Sequence, residues 1–114
     1  MPVFESQIRS IVIDLLVLLA DGDYESIMER CPTSRLAGAD LRTAICEYGR
    51  KVIAPPADYG HIEMGEVEAT AVPTWWVVAA LWTEEEGRSD LSLELTIVFG
   101  PSGPTIQLDN LHVL

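Results

Sequence analysis

Residues 91–99 read Leu91-Ser92-Leu93-Glu94-Leu95-Thr96-Ile97-Val98-Phe99. Every odd position is a large apolar side chain, and the even positions are mostly polar. A period of two is the signature of a strand with one buried face, because successive side chains point to opposite sides of a sheet. Five apolar residues on one side require a covering layer. The architecture follows from asking what supplies that cover.

Downstream, Gly100-Pro101-Ser102-Gly103-Pro104 is a turn and Thr105–Leu114 a further strand. There Ile106 and Leu108 hold one phase and Leu111 and Val113 the other, with the switch at Asp109-Asn110. Upstream, Thr74–Thr83 alternates Trp75, Val77, Ala79 and Leu81 against Trp76, Val78, Ala80 and Trp82, so both of its faces need cover. Before it, Ile62 and Met64 alternate with His61 and Glu63. The apolar phase then passes to Val67 and Ala69 across Gly65, which predicts a bulge or bend at that glycine.

The first half of the chain has helical periodicity. Ile8, Ile11, Val12, Leu15, Leu16, Leu18 and Leu19 recur at helix spacing over Val3 to Ala20. Ile13 and Val17 make the second half of that segment apolar nearly all round. Asp21-Gly22 stops it. Asp23 is a suitable N-cap for a short helix to Arg30, which Pro32 ends. A third helix covers Gly38 to Tyr48, with Asp40 in its first turn and Gly49 as its C-cap. Val52-Ile53 then leads into the extended connector Ala54-Pro55-Pro56. Three N-terminal helices followed by consecutive antiparallel strands define an α+β domain. The expectation is one domain over residues 1–114: a curved four-stranded antiparallel sheet covered by the long first helix.

Composition narrows the function classes. At 114 residues and 48% hydrophobic, the chain suits one packed core without staples. Cys31 and Cys46 form neither a CxxC pair nor part of a four-ligand zinc set, so they read as reduced, partly buried thiols, with no metal and no cofactor expected. The apolar run Ile11–Ala20 is too short to span a bilayer and has no basic leader, which points to a cytoplasmic protein without membrane contact. The net charge of −11 is uneven: residues 52–114 hold ten acids and a single base, Arg88. That half would repel a phosphate backbone, so nucleic-acid binding is not expected, whereas a basic protein partner would be attracted.

The run TEEEGRSDLSLELTIVFG, the C-terminal IQLDNLHVL and the helical DLRTAICEYGRKVIAPP together resemble an uncharacterised bacterial family of domains of unknown function, over most of the chain. The order of elements and the length also resemble the cystatin-like, nuclear-transport-factor-like superfamily of α+β rolls. That superfamily holds isomerases, cyclases, binding modules and immunity proteins, so the resemblance implies a fold and assigns no activity.

Two functional expectations from different classes follow. The first is a non-catalytic interaction or ligand-binding domain, such as an immunity-type protein that neutralises a basic partner. A homodimer packed sheet against sheet belongs to this reading, because the second face mixes a tryptophan and valine with Ser92, Glu94, Thr96 and Val98. The second is a small isomerase- or cyclase-like enzyme, or a small-molecule binder, with a cavity between the first helix and the sheet. Its wall would be Tyr24, Tyr48, Tyr59 and Trp82, and Asp109 or His112 would reach into it.

The candidate binding residues are Trp76, Trp82, Glu85, Arg88, Asp90, Glu94, Asp109 and His112; no catalytic residue is assigned. The segment Thr83–Asp90 is either a recognition loop or, as favoured here, a charged hairpin in which Arg88 pairs with neighbouring carboxylates around a turn at Gly87. Glu94 is expected to face outward. His61 and His112 would make a metal site only by converging with an acid such as Asp109. GxSxG, phosphate-loop and dinucleotide motifs are missing.

Overall fold

The computed structural model describes residues 3–114. Three helices come first: α1 (Val3–Asp21), α2 (Tyr24–Arg30) and α3 (Gly38–Tyr48). Five strands follow: β1 (Val52–Ile53), β2 (Ile62–Glu66), β3 (Thr74–Thr83), β4 (Gly87–Gly100) and β5 (Gly103–Val113). All pairings are antiparallel, in the order β1-β3-β4-β5, with β2 also paired to β3. The expected α+β class holds; the expected count of four strands does not. β1 and β2 share one side of β3, β1 against Trp82 and Thr83 and β2 against residues 75–79. Residues 52–53 look like a connector because two residues carry no readable period, yet the ten-residue β3 leaves its far end open for them to pair.

The helix ends follow their local chemistry. Gly22 and Gly49 both adopt the left-handed conformation, with φ of 70° and 76°. Asp23 caps α2 by accepting from the Ser26 N–H at 3.2 Å. The Ala37 N–H donates to the Asp40 carboxylate at the start of α3 at 2.8 Å. Cys31 is buried, its thiol pushed up to about 11 by desolvation, whereas Cys46 is exposed, contrary to the partly buried position expected for it.

The core lies between α1 and one face of the sheet. Ile8, Val12, Leu15, Leu16 and Leu19 pack against Val77, Ala79, Leu81, Leu93, Leu95 and Ile97, all buried. The odd-numbered residues of β4 are therefore the buried set, as their alternation demands. Phe4, Trp75 and Phe99 close one end, with the Phe4 and Phe99 rings 4.5 Å apart. The second half of α1 is less enclosed than its composition suggests, since Val17 is exposed.

Two irregularities in the ladder re-aim side chains. Glu94 pairs with Asn110 and Leu95 with Leu108, so Asp109 is the extra residue of a β-bulge where the phase of β5 switches. Ala80 pairs with Ser92 but Trp82 with Arg88, so Leu81 alone faces the three residues Ser89, Asp90 and Leu91. Gly65, by contrast, is no bulge: β2 pairs with β3 in regular register from Ile62 to Glu66. Its lack of a side chain has another cause. A Cβ there would lie 2.6 Å from Nε1 of Trp76, whose indole covers the glycine.

Candidate functional site: the outer face of the sheet

The side of the sheet turned away from α1 carries Glu63 and Gly65 from β2, Thr74, Trp76, Val78 and Ala80 from β3, and Ser92, Glu94, Thr96 and Val98 from β4. Register divides it into two halves. Thr74 lies beside Val98, Trp76 beside Thr96, and Val98 beside Thr105, so this half is rich in β-branched side chains, with the Asp109 carboxylate held beside Thr96. Trp76 stands on its β2 flank, its indole over Gly65, and is 43% exposed. The other half holds His61, Glu63, Val78, Ala80, Arg88, Ser92, Glu94 and His112.

Six of the eight candidate residues, Trp76, Trp82, Arg88, Glu94, Asp109 and His112, fall on or beside this face, and several have structural partners. Glu94 and His112 pair with each other across β4 and β5. Asp109 accepts from the Thr96 hydroxyl and from Gln107 Nε2, both at 2.7 Å, and forms an ion pair with Arg35 at 3.7 Å. That places Asp109 on the side opposite α1. His61 immediately precedes β2 and His112 lies on β5, with β3 and β4 between them, so they do not converge; among the described residues no group of three metal-ligating side chains gathers.

The acidic hairpin proves to be a clasp. Glu84–Glu86 is the turn between β3 and β4, and β4 begins at Gly87, four residues before the alternation makes it visible. The Tyr48 hydroxyl donates to Glu86 at 2.8–2.9 Å, the Thr83 hydroxyl donates to it at 3.0 Å, and Ser89 Oγ lies 2.9 Å from the Tyr48 oxygen. Glu85 accepts from the backbone N–H of Lys51 at 3.0 Å, and Glu84 pairs with the Lys51 ammonium at 3.6 Å. The hydrogen bond from Tyr48, followed by those from Thr83 and Ser89, holds the Glu86 carboxyl below its usual range. Ser89 pulls the Tyr48 hydroxyl down, but burial and the charges of Glu86 and Asp90 raise it on balance. Glu85 is thus a structural acid. The backbone carbonyl of Asp90 accepts from the Leu114 N–H at 3.2 Å.

Arg88 departs from expectation. Among the described residues it enters no ion pair with the neighbouring carboxylates. The bulge opposite Leu81 lifts it clear of the acidic turn and brings it near Tyr59. Tyr59 is the buried polar anchor of the region: its hydroxyl donates towards the carbonyls of Ala80 at 2.5 Å and His61 at 3.0 Å, and Arg9 donates to its own carbonyl. Burial pushes that phenol up to about 12. Its ring meets Trp82 edge-on at 6.2 Å, and the His61 ring lies 5.9 Å from Trp82. Of the four aromatics expected to line one pocket, only Tyr59 and Trp82 meet. Tyr48 belongs to the clasp, and Tyr24 lies under the Arg42 guanidinium. Neither the Ser89–Glu86–Tyr48 clasp nor the small-residue floor beside Arg88 has a sequence signal, since each joins residues distant along the chain.

The fold and this face define a small α+β domain with one face of its sheet packed on helix α1 and the other partly exposed. A family model for a domain of unknown function, DUF7668, matches residues 16–114, and the chain belongs to that family. No curated protein and no solved structure matches it. No helix among the described residues is long and apolar enough to cross a membrane.

Proposed function

We propose that this chain is a non-catalytic interaction domain, and that it associates with a second copy of itself through the Trp76 half of the outer sheet face. The observation that carries the reading is Trp76: a large aromatic held in place over Gly65, exposed, with Thr96 as its neighbour on β4 and the Thr74–Val98 pair one step along the ladder. Exposed aromatic side chains beside β-branched residues are common anchors of protein contacts. A two-fold operator would set each patch on its twin, sheet against sheet. The carboxylate on the patch, Asp109, is engaged by Thr96, Gln107 and Arg35, which is what makes self-pairing feasible for a chain of net charge −11. Against the enzyme reading stands the use of the candidate groups: Asp109 and His112 lie on the face away from α1, and the layer between α1 and the sheet is occupied by leucine, isoleucine and valine. The order of helices and sheet also supports placing the domain with the cystatin-like, nuclear-transport-factor-like rolls, with a split first edge as its own variation.

Light scattering coupled to gel filtration tests the association. At about 100 µM, a concentration that populates a dimer of micromolar Kd, the mass should be twice the 12.5 kDa of the chain. Two copies of one anionic chain repel at long range, so added salt should strengthen the dimer by screening. Trp76→Glu should give a monomer with an unchanged circular dichroism spectrum. A wild-type chain that stays monomeric at every salt concentration, or a dimer that salt dissociates, would refute this reading; in a mixed sample, a basic partner lost as salt rises would favour the acidic-surface alternative.

A further inference from the structure

The charged half of the outer face holds a shallow depression of about 190 Å³. Its floor is Val78, Ala80 and Ser92, and its rim includes His61, Glu63 and Arg88. The register explains the dent. Ala80 and Ser92 are paired neighbours with small side chains, while β2 places longer ones on one flank and the β4 bulge raises Arg88 on another. Although they lie on the outer face, Ala80 and Ser92 are only 6% and 3% exposed, because the rim stands above them.

The rim carries opposite charges that do not neutralise each other. Arg88 is the single base of residues 52–114, and among the described residues it is not within ion-pair distance of any carboxylate, Glu63 included. Glu63 is likewise in no ion pair, whereas Glu94 is already matched with His112. Unpaired opposite charges on the rim of a floor of small side chains are complementary to a ligand that bears both signs. A simple anion would meet the field of a chain of net charge −11 and the carboxylate of Glu63; a simple cation would meet Arg88. A zwitterion is neutral as a whole and satisfies both.

We infer that this depression is a binding site for a small amino-carboxylate, with its carboxylate on the Arg88 guanidinium, its ammonium toward Glu63 and its aliphatic part over Val78 and Ala80. The planar guanidinium offers the two parallel donors a carboxylate accepts. His61, 5.9 Å from the Trp82 ring, forms the wall beside the aromatic pair. The site lies next to the Trp76 patch and does not depend on it.

Amide chemical-shift titration of the full chain tests this with leucine, valine and γ-aminobutyrate as probes. At least one should move the amides of residues 60–63 and 88–92 saturably, with a Kd of about 1 mM, the range open to ligands this small. For leucine, the analogue lacking the amine (4-methylpentanoate) and the one lacking the carboxylate (3-methylbutylamine) should each bind about tenfold more weakly, as loss of one charged contact implies. Arg88→Met and Glu63→Gln, both exposed positions, should weaken the same probe to a similar degree. Trp76→Glu should leave binding intact, which separates this site from self-association. No saturable shift with any probe up to about 10 mM, equal binding by either truncated analogue, or an unchanged Kd in Arg88→Met would each overturn the assignment.

Discussion

Replacing Gly65 by alanine tests whether Trp76 is seated or merely exposed. Gly65 does not have a positive φ, so its backbone suits any residue. In a strand, alanine for glycine ordinarily stabilises by about 0.5–1 kcal/mol, because it removes unfolded-state freedom. Here the new Cβ would stand 2.6 Å from Nε1 and 2.7 Å from two ring carbons of Trp76, closer than such atoms approach, so the indole must leave. Trp76 is 43% exposed and so a little over half covered. Tryptophan side chains bury roughly 150–250 Å² when fully covered, so the covered part here is about 110 Å²; uncovering about two-thirds of it, ~70 Å², at about 25 cal/mol/Å² costs about 1.8 kcal/mol. Subtracting the propensity gain leaves Gly65→Ala less stable by about 1 kcal/mol. Urea denaturation at low protein concentration, where association contributes nothing, measures it. In a Trp76→Ala background the sign should reverse, with Gly65→Ala stabilising by about 0.5–1 kcal/mol. A stabilising effect in the wild type, or the same effect in both backgrounds, would refute the reasoning.

Tyr59→Phe removes the donor to the Ala80 and His61 carbonyls beneath the strand junction and should destabilise by about 1–3 kcal/mol in the same assay. Absorbance titration should find Tyr59 ionising near 12, together with unfolding. The clasp makes stability depend on pH at both ends. The folded Glu86 carboxyl is depressed, so its contribution is present above the unfolded carboxylate pKa and is lost as pH falls through the folded value. The folded Tyr48 hydroxyl is raised, so its contribution is present below the unfolded phenol pKa and is lost as pH rises through the folded one. Glu86→Gln should flatten the acid limb of a melting-temperature profile, and Tyr48→Phe the alkaline limb; unchanged limbs would show that the hairpin is not held this way.

The sequence made some of this legible, for identifiable reasons. The leucine alternation of β4 and the periodic face of α1 announce a two-layer domain because burial of one face leaves a repeat that survives any loop detail. The switch at Asp109-Asn110 marks a real bulge, since an extra residue must invert the phase of all that follows. A phase change at Gly65 looked alike and meant something else: there the strand simply ends at Glu66, and the glycine makes room for a ring on the neighbouring strand. One chain position cannot report what lies across a ladder. The same limit hid the clasp, where Tyr48 and Glu86 meet 38 residues apart. Arg88 was conspicuous by charge count alone, but its release from the acidic turn depends on the three-against-one bulge, which leaves no periodic trace.

The arrangement of the sheet borders bears on how the molecule behaves when crowded. One border is broken into the two-residue β1 and the five-residue β2, with Pro55 and Pro56 between them and Glu63 and Glu66 along the longer piece. The other is met by the α2–α3 connection, where the Arg35 N–H donates to the Leu108 carbonyl at 3.0 Å and the Leu108 N–H to Ser34 Oγ at 2.9 Å. A foreign strand finds no long run of free amides on either side, so fibril growth by strand addition is disfavoured even though β4 spans fourteen residues.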